Sequence, residues 1–241
     1  WSSSLSTKGK LCMRKILVTG AGGFVGARIL DQWRGRYELC TFPHGFSAVS
    51  DEAAVRALIA REKPDVIVHT AALSNTAYCA SHPEESLRAN VLLPEWIAKA
   101  AAETGAKLLA FSSDQVYAGC KRSGPLPETL SLAPANVYGC HKLEAEQRVL
   151  AITPGAILLR AAWMYDLPGY RLPIRGNLPL NLLSAAKTGT ALHFSEQDFR
   201  GVSYVREVID KLIPAMELPG GVYNFGSGND CDMFETVSRF A

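Results

Sequence analysis

The chain of 241 residues carries 25 Lys and Arg against 23 Asp and Glu, and it is 48% hydrophobic and 20% charged. These ordinary globular values exclude wholesale disorder, and a formal charge of +2 gives no electrostatic case for a nucleic-acid partner. No apolar run approaches the roughly 18–20 residues that a membrane-spanning helix needs. We therefore expect a cytoplasmic protein that binds neither nucleic acid nor a membrane.

The six cysteines are scattered along the chain, and no CxxC pair occurs. Zinc knuckles and thioredoxin-type redox pairs both need such closely spaced ligands. A disulfide framework is typical of short secreted chains, and this chain is longer than those. We therefore predict reduced thiols and no metal site.

The two ends of the chain differ from the rest. Residues 1–12 are Ser-rich and basic, and Met13 then begins the run MRKILVTG. We expect residues 1–12 to be a leader or an appended extension. The last predicted helix, from about residue 232, runs to the chain end without a stop signal, which indicates a truncated C-terminus.

Strands and helices alternate up to about residue 160. The strands are expected at 15–19, 37–42, 65–69, 107–111 and 156–160, and the helices at 24–33, 52–61, 83–103 and 134–150. Strands that are apolar throughout indicate a parallel sheet covered on both faces. With right-handed crossovers, the pattern predicts an α/β fold with a doubly wound parallel sheet of the Rossmann type.

The regular alternation of strands and helices ends after about residue 161. A loop rich in Pro and Gly is followed by helices near 180–187 and 205–216 and a strand near 222–225. We therefore divide the chain into a dinucleotide-binding core, 13–160, and a smaller C-terminal substrate lobe, mainly 161–241.

The first motif is a glycine trio, Gly20, Gly23 and Gly26, between the first strand and the first helix. Gly20 would permit the tight turn, Gly23 would let the backbone approach a pyrophosphate, and Gly26 would let the helix pack closely on the strand. Free N–H groups and the helix dipole would then face the phosphates. The motif predicts nucleotide binding.

The end of the second strand bears on the choice of coenzyme. NAD commonly has its adenosine ribose held by an acidic residue there. Residues 39–44 read LCTFPH, with neither a carboxylate nor an arginine for a 2′-phosphate. The sequence does not decide between NAD and NADP as the coenzyme, and the missing carboxylate slightly favours NADP.

The second motif places Tyr138 and Lys142 four residues apart on a predicted helix, so both side chains share one face. An ammonium about 4 Å from a phenol, at an effective dielectric near 20, favours the phenolate by about 4 kcal/mol. We therefore expect Lys142 to lower the pKa of Tyr138.

The third motif, Ser112, Ser113 and Asp114, follows the fourth strand. These serines could simply cap the next turn. Loops at the carboxyl ends of parallel strands line the ligand crevice, however, and a hydroxyl there can donate to a carbonyl oxygen that becomes an alkoxide.

Together the motifs resemble the extended short-chain dehydrogenase/reductase superfamily, and more closely the dTDP-4-dehydrorhamnose reductase family. The resemblance rests on TGAGGFVG, VIVHTAALSNT, SSDQVYAG, NVYGCHK, LLRAAWMY and RGVSYVRE. It implies that Ser113, Tyr138 and Lys142 are catalytic, and that Asn90 supports the site. It implies cofactor contacts at Gly20, Gly23, Phe24, Val25, Ala71, Ala72, Tyr138 and Lys142, and substrate contacts at Asp114, Trp163 and Arg200.

The chain also departs from that family. Tyr is usual at Gln115, Gly at Asp166 and Pro at Val202. Related sugar-nucleotide dehydratases carry Glu where Gln115 stands, and an amide cannot titrate, which weakens a dehydratase interpretation. Arg160 and Arg200 are both candidates to grip a diphosphate, and Arg200 is favoured.

The resemblance implies NAD(P)H-dependent reduction of a 4-keto nucleotide-linked deoxysugar. The cofactor would give hydride to the ketone carbon, Tyr138 would protonate the oxygen, and Ser113 would polarise the carbonyl. One alternative is a non-catalytic, NADP-binding regulatory subunit resembling the beta subunit of methionine adenosyltransferase. Another is a nucleotide-sugar epimerase or dehydratase. A homodimer is an assembly that the sequence leaves open.

Overall fold

The structure, a computed structural model, describes residues 13–122, 124–169, 171–174 and 177–240. The expectation for residues 1–12 lies outside these described residues. Within them no helix is long and apolar enough to cross a membrane, and the five described cysteines form no disulfide with one another.

Within the described residues, six of the eight strands form one parallel sheet in the order β2-β1-β3-β4-β5-β8, and the other two pair with each other. The strands are β1 Lys15–Thr19, β2 Glu38–Thr41, β3 Val66–His69, β4 Lys107–Ser113, β5 Ile157–Ala161, β6 Trp163–Tyr165, β7 Val202–Tyr204 and β8 Gly221–Phe225. The chain order reverses between β1 and β3, and the crevice of a doubly wound sheet opens at such a switch point. The predicted fold class is confirmed.

Helices cover both faces of this sheet. They are α1 Phe24–Trp33, α2 Phe46–Val49, α3 Glu52–Glu62, α4 Thr76–Ser81, α5 Pro83–Leu87, α6 Leu93–Thr104, α7 Val137–Ile152, α8 Leu178–Thr188, α9 Val205–Ala215 and α10 Met233–Phe240. Asp51 caps α3, because its carboxylate accepts a 2.8 Å hydrogen bond from the Ala54 N–H.

Two apolar cores lie on opposite faces of the sheet, and β1 contributes to both. Leu17 joins the core under α3 and α6, whereas Ile16 and Val18 join the core under α1 and α9. All three side chains are fully buried. A strand whose alternate residues enter two separate cores must be apolar throughout, which explains the uninterrupted run in the sequence.

The long helix predicted over 83–103 is interrupted. A single π-helical turn, Arg88–Leu92, separates α5 from α6. Pro94 has no N–H to donate to the preceding turn, so one hydrogen bond of a regular α-helix is missing at this point. The buried Asn90 side chain in this turn donates to the Leu73 carbonyl at 3.0 Å and accepts from the Leu73 N–H at 3.1 Å, which ties the loop after β3 to this helix.

The chain beyond residue 160 contributes to both the sheet and a smaller lobe. β8 lies beside β5, and α9 packs against α1. The β6–β7 pair, α8 and α10 lie apart from the main sheet, around a small apolar cluster of Leu178, Met233 and Val237. The core therefore draws on both sides of residue 160, and the division into 13–160 and 161–241 stays a prediction.

Candidate active site

The glycine turn between β1 and α1 is shaped by close backbone contacts. Gly20 has φ +68°, and a Cβ there would lie 2.8 Å from the Ala71 backbone nitrogen. A Cβ on Gly26 would overlap the Gly20 carbonyl oxygen. The predicted steric roles of Gly20 in the turn and of Gly26 in helix packing are confirmed. Phe24 and Val25, in the first turn of α1, line the same crevice as Ala71 and Ala72 of the loop after β3.

A single cleft of about 1510 Å³ opens above the carboxyl ends of the strands. It brings together every residue that the family resemblance implies to contact cofactor or substrate. These are Gly20, Gly23, Phe24, Val25, Ala71, Ala72, Ser113, Asp114, Tyr138, Lys142, Trp163 and Arg200.

The segment at and after the end of β2, residues 41–48, forms one wall of the cleft, and the choice between NAD and NADP depends on its side chains. Thr41, His44 and Ser47 line the cleft there, and residues 41–48 contain no carboxylate. An anionic 2′-phosphate would therefore meet no repulsion from this segment.

Tyr138 lies in the first turn of α7 with only 6% of its surface exposed. Burial raises the pKa of Tyr138 to about 12, and a hydrogen bond with Ser113 acts in the opposite direction. The expectation that Lys142 lowers the pKa of Tyr138 is wrong, because the pKa is raised and Lys142 is not among the groups that shift it. Burial dominates because it removes the water that would solvate a phenolate.

Lys142 shares the buried face of α7 with Tyr138, as the i,i+4 spacing predicts. Its Nζ donates a 2.6 Å hydrogen bond to the Phe111 carbonyl of β4. Burial lowers the pKa of Lys142 to about 8, and the Glu146 carboxylate acts to raise it. The ammonium is therefore anchored on the sheet and is poorly solvated.

Ser113 ends β4 and serves two local roles. Its Oγ accepts a 3.2 Å hydrogen bond from the Gln115 N–H, which caps the 3-10 turn Asp114–Tyr117, and it donates to Asp114 at 3.1 Å. The capping role that the sequence left open is therefore present, and the hydroxyl still lines the cleft. Burial raises the pKa of Asp114, against the nearby Arg200 guanidinium.

Trp163 and Arg200 meet on the lobe side of the cleft. The Arg200 guanidinium carbon lies 4.6 Å from the centre of the Trp163 ring, and Arg200 pairs with Asp198 at 3.0 Å. Trp163 is 42% exposed, so it is a wall of the cleft and not a core residue.

Arg160, the second candidate for binding a diphosphate, is instead paired with a carboxylate in the protein interior. It is 5% exposed and forms a 2.7 Å ion pair with Glu146. Glu146 also accepts a 2.5 Å hydrogen bond from Ser112. This interior network of β4, β5 and α7 explains the strand-end arginine, and Arg160 is set aside as a diphosphate ligand.

His69, at the end of β3, lies behind the cleft and carries a defined tautomer. The Thr19 hydroxyl accepts from the Thr70 and Ala71 N–H groups at 3.2 and 3.3 Å, so its own proton points to His69 Nδ1 at 2.7 Å. The ring proton is therefore on Nε2, which has no partner among the described residues. Burial lowers the pKa of His69 to about 3, so the ring is neutral.

Comparison with known proteins agrees with the family resemblance of the sequence motifs. The sequence model of the family described as RmlD substrate binding domain matches residues 13–237. The dTDP-4-dehydrorhamnose reductase of Aggregatibacter actinomycetemcomitans is 28% identical over 229 residues, which cover 91% of this chain and 75% of that protein. Methionine adenosyltransferase 2 subunit beta of Xenopus laevis is 38% identical over 160 residues, which cover 63% of this chain and 47% of that protein.

Among solved structures, the dTDP-4-dehydrorhamnose reductase of Bacillus anthracis, in complex with NADP, superposes with a TM-score of 0.86. The match covers 96% of this chain and 81% of that one at 20% sequence identity. At that identity the likeness establishes the shared fold.

Proposed function

Because the chain belongs to the RmlD substrate binding domain family, we propose that it is an NAD(P)H-dependent oxidoreductase that reduces a 4-keto nucleotide-linked deoxysugar. One observation carries the proposal. Ser113, Tyr138 and Lys142 line the same cleft as the glycine turn, so a phenol and a hydroxyl face the place where a dinucleotide would lie.

The size of the cleft supports two ligands. At about 1510 Å³ it exceeds the 300–1,000 Å³ or so that is common for a single small ligand. The glycine turn and α1 form the end suited to a dinucleotide, and Asp114, Trp163 and Arg200 form the opposite end. Arg200 is the residue here that suits the diphosphate of a sugar nucleotide.

The protonation states suit the direction of reduction. When bound, the reduced cofactor supplies hydride to the ketone carbon. With a pKa near 12, Tyr138 holds its proton at neutral pH and can pass it to the oxygen that becomes an alkoxide. The Ser113 hydroxyl, whose one proton is donated to Asp114 in the structure, would stabilise the same oxygen by turning that proton toward it. Lys142 holds positive charge beside the site and orients the cofactor side of the cleft.

We place NADP ahead of NAD as the coenzyme. Residues 41–48 offer no carboxylate to bind the 2′-hydroxyl of NAD, and the similar Bacillus anthracis reductase was solved with NADP. A cytoplasmic location and a homodimer stay predictions.

The second candidate is a regulatory subunit that binds cofactor without turnover. The similarity to methionine adenosyltransferase 2 subunit beta favours it over other rivals. A dehydratase is disfavoured, because Gln115 lines the cleft where that reaction needs a titrating group.

The test measures oxidation of NADPH and NADH against a panel of 4-keto nucleotide sugars, with the Tyr138→Phe variant as the blank. Turnover that depends on sugar and on Tyr138 would establish the reductase. Absence of turnover with every sugar, together with a stable complex with a methionine adenosyltransferase catalytic subunit, would establish the regulatory alternative.

A further inference from the structure

A buried ion pair joins the two sides of the cleft away from the reacting groups. Arg28 lies on α1, one turn beyond Phe24, and Asp166 directly follows β6. Their side chains are 1% and 6% exposed, and Arg28 Nε lies 2.6 Å from Asp166 Oδ2. The two residues are 138 positions apart in the chain, so the pair is a tertiary contact between α1 and the lobe.

Arg28 also makes contacts on each side of this junction. Its Nη1 donates to the Phe24 carbonyl at 2.8 Å and to the Pro173 carbonyl at 2.9 Å. The guanidinium carbon lies 4.0 Å from the centre of the Phe24 ring, and Phe24 lines the cleft. One guanidinium therefore contacts the first turn of α1 and the stretch that carries Asp166 and Pro173.

Asp166 continues the connection toward α8. Its carbonyl accepts a 3.0 Å hydrogen bond from the Asn177 side chain, and Asn177 caps α8 by accepting from the Leu180 N–H at 3.3 Å. Asn177 and Leu178 both line the cleft. The contacts thus run from the glycine-turn helix through Arg28, Asp166 and Asn177 to the wall of the cleft formed by α8.

We propose that Arg28 and Asp166 are positioning residues that hold the α8 wall of the cleft in register with the cofactor-binding end of α1. The inference rests on the proposed function for the identity of the ligands. A buried ion pair alone is weak evidence for stability, because removing two charges from water offsets most of their attraction. What distinguishes this pair is that Arg28 also donates to the Phe24 and Pro173 carbonyls, while the backbone carbonyl of Asp166 accepts from Asn177, which caps α8.

Three variants separate positioning from stability: Arg28→Met, Asp166→Asn and the double variant. Each single variant leaves one charge without its main partner, and Asp166 also faces Arg206 at 3.9 Å, so the singles are expected to unfold at lower temperature. The double variant removes both charges and keeps an amide oxygen in place of Asp166 Oδ1, which accepts a 2.9 Å hydrogen bond from the Leu167 N–H. Arg14→Met is the matched control, because Arg14 pairs with a distant carboxylate, Glu217, in an exposed position.

We expect the double variant to melt near the wild-type temperature. Its KM for the sugar nucleotide should rise by about tenfold, since small misplacements of substrate-binding groups cost much of the binding. Its KM for NADPH should stay within about twofold, because the glycine turn is unchanged. In wild type, NADPH binding should slow amide exchange in the peptide carrying Asp166 and Pro173, and the double variant should lose that effect.

A double variant with wild-type sugar KM and wild-type exchange protection would overturn the proposal and leave the pair a purely stabilising one. Equal weakening of NADPH and sugar binding would also overturn it, because the pair would then act on α1 alone. The proposal would also be overturned if amide exchange in the wild-type peptide carrying Asp166 and Pro173 did not slow on NADPH binding. If wild type turned over none of the sugars, the proposed function would fail, while the exchange experiment would still decide the coupling.

Discussion

Lys142 Nζ lies 2.6 Å from the Phe111 carbonyl oxygen, so the ammonium at the active site is held by the backbone of β4. Tyr138, one turn earlier on α7, is buried beside it in the same cleft. Helix and strand together therefore fix the two side chains, and burial sets the protonation of both. The phenol keeps its proton more strongly than usual and the amine less strongly.

Tyr138→Phe should lower kcat by about 10²–10⁴-fold, because it removes the proton donor and little else. NADPH binding, measured by fluorescence titration, should be unchanged, since the ring itself remains. Tyr37→Phe, on a tyrosine whose ring packs against Trp33 at a tilt of 57° outside the cleft, is the control. A Tyr138→Phe enzyme that retains most of its rate would refute the assigned role.

Lys142→Met should abolish turnover and yet stabilise the protein at neutral pH. The folded pKa of Lys142, about 8, lies below its ordinary value of 10.5, so the unfolded chain binds the extra proton between those pH values. Stability of the wild type therefore rises with pH across that window, and below it the buried ammonium costs up to about 3 kcal/mol. Part of the gain in the variant is offset by the Phe111 carbonyl left without its donor.

Urea titrations of both proteins at pH 7 and pH 10 measure this difference. The advantage of the variant should shrink toward the higher pH. An advantage that is equal at both pH values would show that the charge of Lys142 is not its source.

The parallel sheet and the glycine turn were predictable because their signals are local. Apolar strands alternate with helices, and three glycines stand where close backbone contacts need them. Element ends were less predictable: α7 begins at Val137 and not near residue 134, because Asn136 caps it with a 2.8 Å bond from the Gly139 N–H. The sequence predicts the strand β8, but a short apolar run does not indicate which strand of the sheet it will pair with.

The buried charges could not be predicted from spacing. Arg28 and Asp166 are far apart in the chain, and nothing local marks either as buried. The one available signal was Asp166 standing where the family usually has Gly. Spacing likewise placed Tyr138 and Lys142 on one face of α7, but it could not show that burial would dominate the pKa of each side chain.

Gly26→Ala should destabilise the protein by about 2–4 kcal/mol, because a methyl group there would overlap the Gly20 carbonyl oxygen and force α1 away from β1. Gly22→Ala is the matched control in the same turn, since a Cβ at Gly22 meets no atom within 4 Å. Its effect on unfolding free energy should stay within about 0.5 kcal/mol. Chemical denaturation without cofactor measures both, and equal losses would show that the turn is not shaped by this contact.

His69→Gln should flatten the acid side of the stability profile. The folded pKa of His69, about 3, lies below its ordinary 6.5, so between these values the unfolded chain binds a proton that the folded protein does not. Stability is therefore lost as pH falls through this window, by about 1.4 kcal/mol per pH unit well below 6.5. Glutamine does not titrate, so between pH 6.5 and 4.5 the variant should lose about 2 kcal/mol less free energy of unfolding than wild type.

His44→Gln, at an exposed histidine on the rim of the cleft, is the control and should leave the slope of stability against pH unchanged. Denaturant midpoints across that range decide it, and a His69→Gln profile as steep as that of wild type would mean that other groups govern acid unfolding.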